Sequence, residues 1–259
     1  MLTDKKKVAS IGCGVIGYSW ALKFAMAGYE TYAYNRTESS SATAKANVEE
    51  SIRSLIKNRV LSDEEAQNVE NRIHYTTSIQ EAVTGAIFIQ ESSAEHYDVK
   101  HQLVENIEKY APEDTVIASS TSGLLVTEIA KYAKHPERFV GGHPYNPPHL
   151  IPLVEITKGE KTNETFVKKA EAFYKEIGNE PVILQKEALG FICNRLQMAL
   201  YREICHLVMS GVCSVEDADK AVTFGPGIRW GIMGPSLVFE LGGGKNGVSG
   251  LMNHLNESI

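Results

Sequence analysis

Glu155 stands where a carboxylate is expensive. It interrupts the apolar run Leu153-Val154-Glu155-Ile156, and an ionised side chain inside such a run needs a partner. An imidazole twelve residues upstream, His143, is a natural one. A His–Glu pair with a hydroxyl donor beside it suits oxidation of an alcohol. The imidazole takes the hydroxyl proton while a hydride leaves the carbon, and it returns the proton in the reverse direction. The segment Ser119-Ser120-Thr121-Ser122-Gly123 supplies hydroxyl candidates, and Asn194, just after Gly190-Phe191-Ile192, supplies an amide. The remaining histidines, His74, His96, His101, His135, His149, His206 and His254, have no comparable surroundings and read as surface or core residues.

A departing hydride needs an acceptor, and Gly12-Cys13-Gly14-Val15-Ile16-Gly17 predicts where one binds. In a turn of this kind the first glycine permits the tight bend. The second lets the backbone approach a pyrophosphate, and the third lets helix and strand pack closely. The helix that opens at Val15 and Ile16 adds unpaired N–H groups and the positive end of its dipole. The cofactor expected is therefore NAD or NADP. At the end of the second strand, where Asp or Glu would hold the adenosine ribose of NAD, the chain has Asn35-Arg36-Thr37. Asn35 does not repel a 2′-phosphate and Arg36 can pair with one, so this reading favours NADP.

These residues need a scaffold that brings distant segments to one edge. The first half alternates strand-like runs (Val8–Ile11, Thr31–Tyr34, Ala86–Gln90, Thr115–Ala118, Phe139–Gly141) with helical ones. The helical stretches are Val15–Ala27, Ser39–Asn58, Leu61–Asn71, His96–Tyr110 and Val126–Ala133, and Ser62-Asp63-Glu64-Glu65 has the pattern of a capping box. Such alternation implies right-handed crossovers and a parallel sheet. The serine segment and Gly142-His143 then lie just past two strands, on the carboxyl edge where ligands bind. Prolines at 144, 147, 148 and 152 mark a loop into Leu153–Thr157, followed by a helix, Glu164–Ile177, and a strand, Pro181–Leu184. From Leu189 onward only helices and loops remain, beginning with Gly190–Ser210. The predicted organisation is α/β: a Rossmann-like doubly wound parallel sheet over residues 1–187, then a smaller all-α domain over 188–259. The glycine-rich end, Leu241–Ile259, reads as loosely ordered.

Bulk properties exclude other classes. A net charge of −6 over 259 residues offers no basic face for nucleic acid. No apolar run is long enough to span a membrane. Cys13, Cys193, Cys205 and Cys213 form no CxxC pair and no metal-ligand spacing. They read as reduced thiols of a cytoplasmic protein that holds no metal.

In GCGVIG, SSTSG, HPYNPPHLIPLVEI and GFICNRLQ, taken in order and spacing, the chain resembles the 3-hydroxyacyl-CoA dehydrogenase family over nearly its whole length. The resemblance implies that His143 is the catalytic acid/base and that Glu155 orients it. It implies that Ser122 and Asn194 hydrogen-bond the substrate's reacting oxygen or the histidine. Ser120 and Asn146 fall at the cofactor, with Glu95 and Lys100 near its nicotinamide half. The family divides between acyl-CoA thioesters and small free 3-hydroxy acids. Ser120 stands where acyl-CoA members carry asparagine. Together with Gly227-Ile228-Arg229-Trp230-Gly231 and Gly234-Pro235, it is similar to the free-acid branch of lambda-crystallin (L-gulonate 3-dehydrogenase) and the L-carnitine dehydrogenases. The expected activity is thus oxidation of the 3-hydroxyl of an L-gulonate-like acid, with Arg229 binding its carboxylate. The alternatives are 3-hydroxybutyryl-CoA, carnitine, and a non-catalytic redox sensor or crystallin. For the CoA ester, Ser51 matches a CoA-contacting serine and Lys57 lies nearby. Carnitine would need an aromatic cage, for which Tyr145, Phe191 and Trp230 are candidates. A sensor would not need the His143–Glu155 pair. The resemblance further implies a homodimer through the helical domain. Members run some tens of residues past the position of Ile259, which marks this domain as truncated or as that of a short member.

Overall fold

Alternating strands and helices build one sheet in this computed structural model, which describes residues 6–255 apart from the His254 side chain. The reading of His254 therefore lies outside the described residues. The chain separates into two compact units, Met1–Ile192 and Cys193–Ile259.

In the first unit the strands are β1 (Lys7–Ile11), β2 (Glu30–Tyr34), β3 (Ile73–Thr76), β4 (Phe88–Glu91), β5 (Val116–Ser119), β6 (Phe139–Pro144), β7 (Leu153–Lys158) and β8 (Glu180–Ile183). Between them run α1 (Val15–Met26), α2 (Glu38–Lys57), α3 (Asp63–Asn71), α4 (Ile79–Val83), α5 (Tyr97–Glu108), α6 (Val126–Ile129) and α7 (Glu164–Glu176). The sheet order is β3-β2-β1-β4-β5-β6-β7-β8. Chain order reverses between β1 and β4, and at such a switch point a crevice opens beyond the carboxyl ends of the strands. β1, β4 and β5 are buried almost throughout, because helices cover both faces of a parallel sheet. On one face Trp20 and Phe24 of α1 and Phe173 and Tyr174 of α7 pack against Phe88, Val116 and Val140. On the other, Val83, Val104, Ile107, Val126 and Ile129 cover Ile89 and Ile117. The capping box at Ser62 and Glu65 forms as its sequence pattern requires.

Four differences from the sequence reading follow from local physics. β6 runs on through Gly142 and His143 to Pro144, so His143 sits within a strand. β7 pairs with β6 antiparallel, whereas the other neighbours in the sheet are parallel. Residues 145–152 are too few for a parallel crossover, which takes about a dozen residues or more. β3 is a short edge strand, Ile-His-Tyr-Thr, with no apolar periodicity to announce it. α6 stops at Ile129, four residues before the expected end.

The second unit contains α8 (Cys193–Met209), α9 (Val215–Phe224), α10 (Pro226–Trp230), α11 (Pro235–Gly242) and α12 (Gly247–Leu255). The segment from Leu241, expected to be loosely ordered, is mostly helical. Gly243 to Asn246 make the turn between α11 and α12. Residues 256–259 lie outside the described residues. No helix among the described residues is long and apolar enough to cross a membrane.

Candidate active site

The antiparallel pairing sets His143 directly opposite Glu155, and neighbouring side chains on one face of such a pair can touch. The imidazole Nδ1 and the carboxylate Oε2 are 2.8 Å apart. Glu155 is fully buried, and its Oε1 accepts the backbone N–H of Ile192 at 2.8 Å. A carboxylate can only accept, so the ring proton sits on Nδ1 and Nε2 carries the free lone pair. Phe191 packs 5.4 Å from the imidazole ring. Its φ of 46° is left-handed, a conformation that bulky residues rarely adopt. That backbone, next to Gly190, turns the Ile192 N–H toward Glu155. Sequence reasoning singled out the pair and missed this clamp, because a positive φ at phenylalanine leaves no trace in residue type.

The glycine turn is shaped as its spacing predicts. Gly12 has φ +87°, and a Cβ on it would meet the backbone of Ser92 and Ser93 at 3.0–3.1 Å. A Cβ on Gly17 would collide with the Gly12 carbonyl. Gly14, the N-cap of α1, has nothing within 4 Å of where its Cβ would be. That opening leaves room for a pyrophosphate against the backbone, with Val15 and Ile16 at the helix start. The turn borders a cleft of about 700 Å³ that also takes in Asn35, Arg36, Ser40, Thr43, Ser92 and Gln102. Asn35 is buried, and its Oδ1 accepts the Cys13 N–H at 3.0 Å. Its Nδ2 has no hydrogen-bond partner among the described residues. Arg36 is exposed at the rim. Burial pushes the Cys13 thiol up to about 12, so it is a packed group rather than a nucleophile.

Beyond β4 and β5 the structure joins some of the expected residues and separates others. Lys100 is buried against Glu91, 2.9 and 3.1 Å from its two oxygens, and lies 3.5 Å from Glu95. Glu91 also accepts from Ser119 at 2.6 Å and from the Ser93 N–H at 2.6 Å. Lys100 thus neutralises a buried carboxylate that sequence reasoning did not single out. Burial would raise the Glu95 carboxyl. The Thr121 hydroxyl, the Lys100 charge and the Ser122 N–H outweigh it and hold Glu95 below the ordinary carboxylate range. Ser122 is tied to Glu95 through its N–H (2.8 Å) and hydroxyl (3.4 Å). No hydrogen bond joins it to His143 among the described residues. Ser120 bonds Trp20, Gln90 and Ser92. Asn146 is exposed just past β6. Asn194 lies in the first turn of α8, and Arg229 is exposed on α10, both in the second unit.

Comparison with known proteins settles the kinship of this arrangement. Residues 7–188 match the NAD-binding domain of 3-hydroxyacyl-CoA dehydrogenase, and residues 190–259 match the C-terminal domain of the same enzyme. The chain belongs to the 3-hydroxyacyl-CoA dehydrogenase family. Among members, it is 40% identical over 254 residues to an L-carnitine dehydrogenase of Streptomyces coelicolor, spanning 98% of this chain and 79% of that protein. Its structure is similar to that of 5-formyl-3-hydroxy-2-methylpyridine 4-carboxylic acid 5-dehydrogenase, an NAD+-dependent dismutase. That match has a TM-score of 0.83 and 30% identity and covers 97% of this chain and 80% of the other. It is also similar to 3-hydroxybutyryl-CoA dehydrogenase from Escherichia coli, with a TM-score of 0.80 and 26% identity, over 97% and 53% of the two chains. As a member of the family the chain is an oxidoreductase, a dehydrogenase with an NAD-binding Rossmann domain and a helical C-terminal domain.

Proposed function

We propose that this dehydrogenase oxidises the 3-hydroxyl of a small free 3-hydroxy acid, using His143 as general acid/base. The observation that carries the reading is the buried His143–Glu155 pair. Held at Nδ1, the imidazole offers the Nε2 lone pair to a substrate hydroxyl. Glu155 keeps the ring in that tautomer and stabilises the imidazolium once the proton arrives. A nicotinamide bound along the glycine turn would supply the hydride acceptor. In this reading residues 1–187 hold the dinucleotide, and 188–259 contribute Asn194 and Arg229 to the substrate and make a homodimer. Replacing His143 by alanine should lower turnover by about a hundredfold or more, with dinucleotide affinity nearly unchanged. A rate near that of the parent enzyme would contradict the assignment.

The choice of free acid over thioester has physical support. A second cleft, about 500 Å³, runs along α2 beside Ser51 and is lined by Glu50 and, among the described residues, by no lysine or arginine. The phosphates of CoA need the opposite charge. Ser51 gives its hydroxyl to the Asn47 carbonyl at 2.9 Å, and Lys57 is not part of the lining. Within the free acids, the similarity to L-carnitine dehydrogenases puts L-carnitine first and an L-gulonate-like acid second. For the cofactor we infer that NADP is accepted and favoured. Asn35 carries no charge to repel a 2′-phosphate, and Arg36, exposed beside it at the rim of the cleft, can pair with one.

A further inference from the structure

Ser92 has had no part in the chemistry so far, yet it lies beside Gly12 where β1 and β4 diverge. Behind it is a chain of buried polar groups. Gln90, fully buried in β4, donates through Nε2 to the Gly142 carbonyl at 3.1 Å and to the Ser120 hydroxyl oxygen at 2.8 Å. The carbonyl can only accept, which fixes the orientation of the amide. Its Oε1 accepts from the Tyr174 hydroxyl at 2.6 Å. Trp20, also buried, donates Nε1–H to the same Ser120 oxygen at 3.2 Å.

A hydroxyl oxygen has two acceptor sites, whereas an indole N–H and an amide NH₂ only donate. Both sites on Ser120 are therefore filled, and its proton has to be given away. Ser92 Oγ, 2.8 Å distant, is the acceptor among the described residues. Ser92 cannot return a proton to Ser120, so its own O–H is left for another acceptor, and Ser92 lines the cleft beside the glycine turn. We propose that Ser92 is a cofactor-binding residue: a hydroxyl whose donor sense Trp20 and Gln90 preset, aimed at an acceptor oxygen of the dinucleotide near its pyrophosphate. This rests on reading that cleft as the dinucleotide site. Phosphate oxygens only accept, so a committed donor matches them without reorganisation.

The test compares the parent enzyme with Ser92→Ala. Affinity for NADH and NADPH is read by fluorescence titration, and the unfolding midpoint is read without cofactor. The dissociation constant should rise about five- to tenfold, the loss of one hydrogen bond to a charged group, and the midpoint should fall modestly because Ser120 loses the acceptor of its proton. Affinity within about twofold of the parent would overturn the assignment. In Trp20→Phe, where Ser120 regains an open acceptor site, the cost of Ser92→Ala should shrink to about twofold. An undiminished cost would overturn the role given to Trp20. Failure of the parent enzyme to bind either dinucleotide would instead overturn the reading of the cleft, and the role of Ser92 with it.

Discussion

At the scale of single residues, anomalies were the legible signal. Glu155 announced itself as a carboxylate in an apolar strand, and the structure gives it a partner at the expected histidine. Gln90 is the same kind of anomaly, a polar residue in Phe-Ile-Gln-Glu, and could have been found by the same argument. Ser122 and Lys100 show where such reasoning stops. The resemblance placed them at substrate and cofactor; within the chain Ser122 bonds Glu95 and Lys100 is buried against Glu91. Those partners depend on how two loops meet, which spacing does not encode. Arg36 carries the residue-scale prediction. If its guanidinium pairs with a 2′-phosphate, Arg36→Ala should weaken NADPH binding about tenfold and leave NADH binding nearly as it was, since only one of them carries that group. Equal losses for the two cofactors, read by titration, would contradict the pairing.

At the scale of elements, periodicity and turn chemistry found most of the sheet, because a strand buried on both faces has to be apolar. β1, β2, β4, β5 and β7 emerged within a residue or two of their bounds. The antiparallel pairing of β7 was readable in principle, since the connection after β6 is too short for any other arrangement, but alternation alone pointed to a parallel neighbour. β3 was missed because an edge strand has less apolar surface to cover. α8 has a consequence of its own. It is amphipathic over seventeen residues, yet none of them is buried, and Leu196, Met198 and Tyr201, spread around the helix, are all exposed. Exposed apolar side chains on an amphipathic helix with no buried residue call for a partner, and the proposed homodimer supplies one. Sedimentation at micromolar concentration should give a dimer, and a monomer would count against this use of α8.

At the scale of the whole molecule, one division of labour runs through the account. The first unit holds the glycine turn, the cleft beside it and the His143–Glu155 pair, at the edge of one sheet where β1, β4 and β6 end and the antiparallel β7 begins. Function at this scale was legible because the motifs fall in one order along the chain. The substrate was not, because the residues proposed for it, Asn194 and Arg229, are single positions on helices of the second unit whose types fix no one ligand. The central claim is that this family member acts on a free 3-hydroxy acid. The most direct measurement is initial rates of the purified enzyme with L-carnitine, L-gulonate, 3-hydroxybutyrate and 3-hydroxybutyryl-CoA, each with NAD and with NADP. The account predicts that a free acid, L-carnitine first, gives the highest kcat/KM and that NADP supports it at least as well as NAD. A clear advantage for 3-hydroxybutyryl-CoA would contradict it.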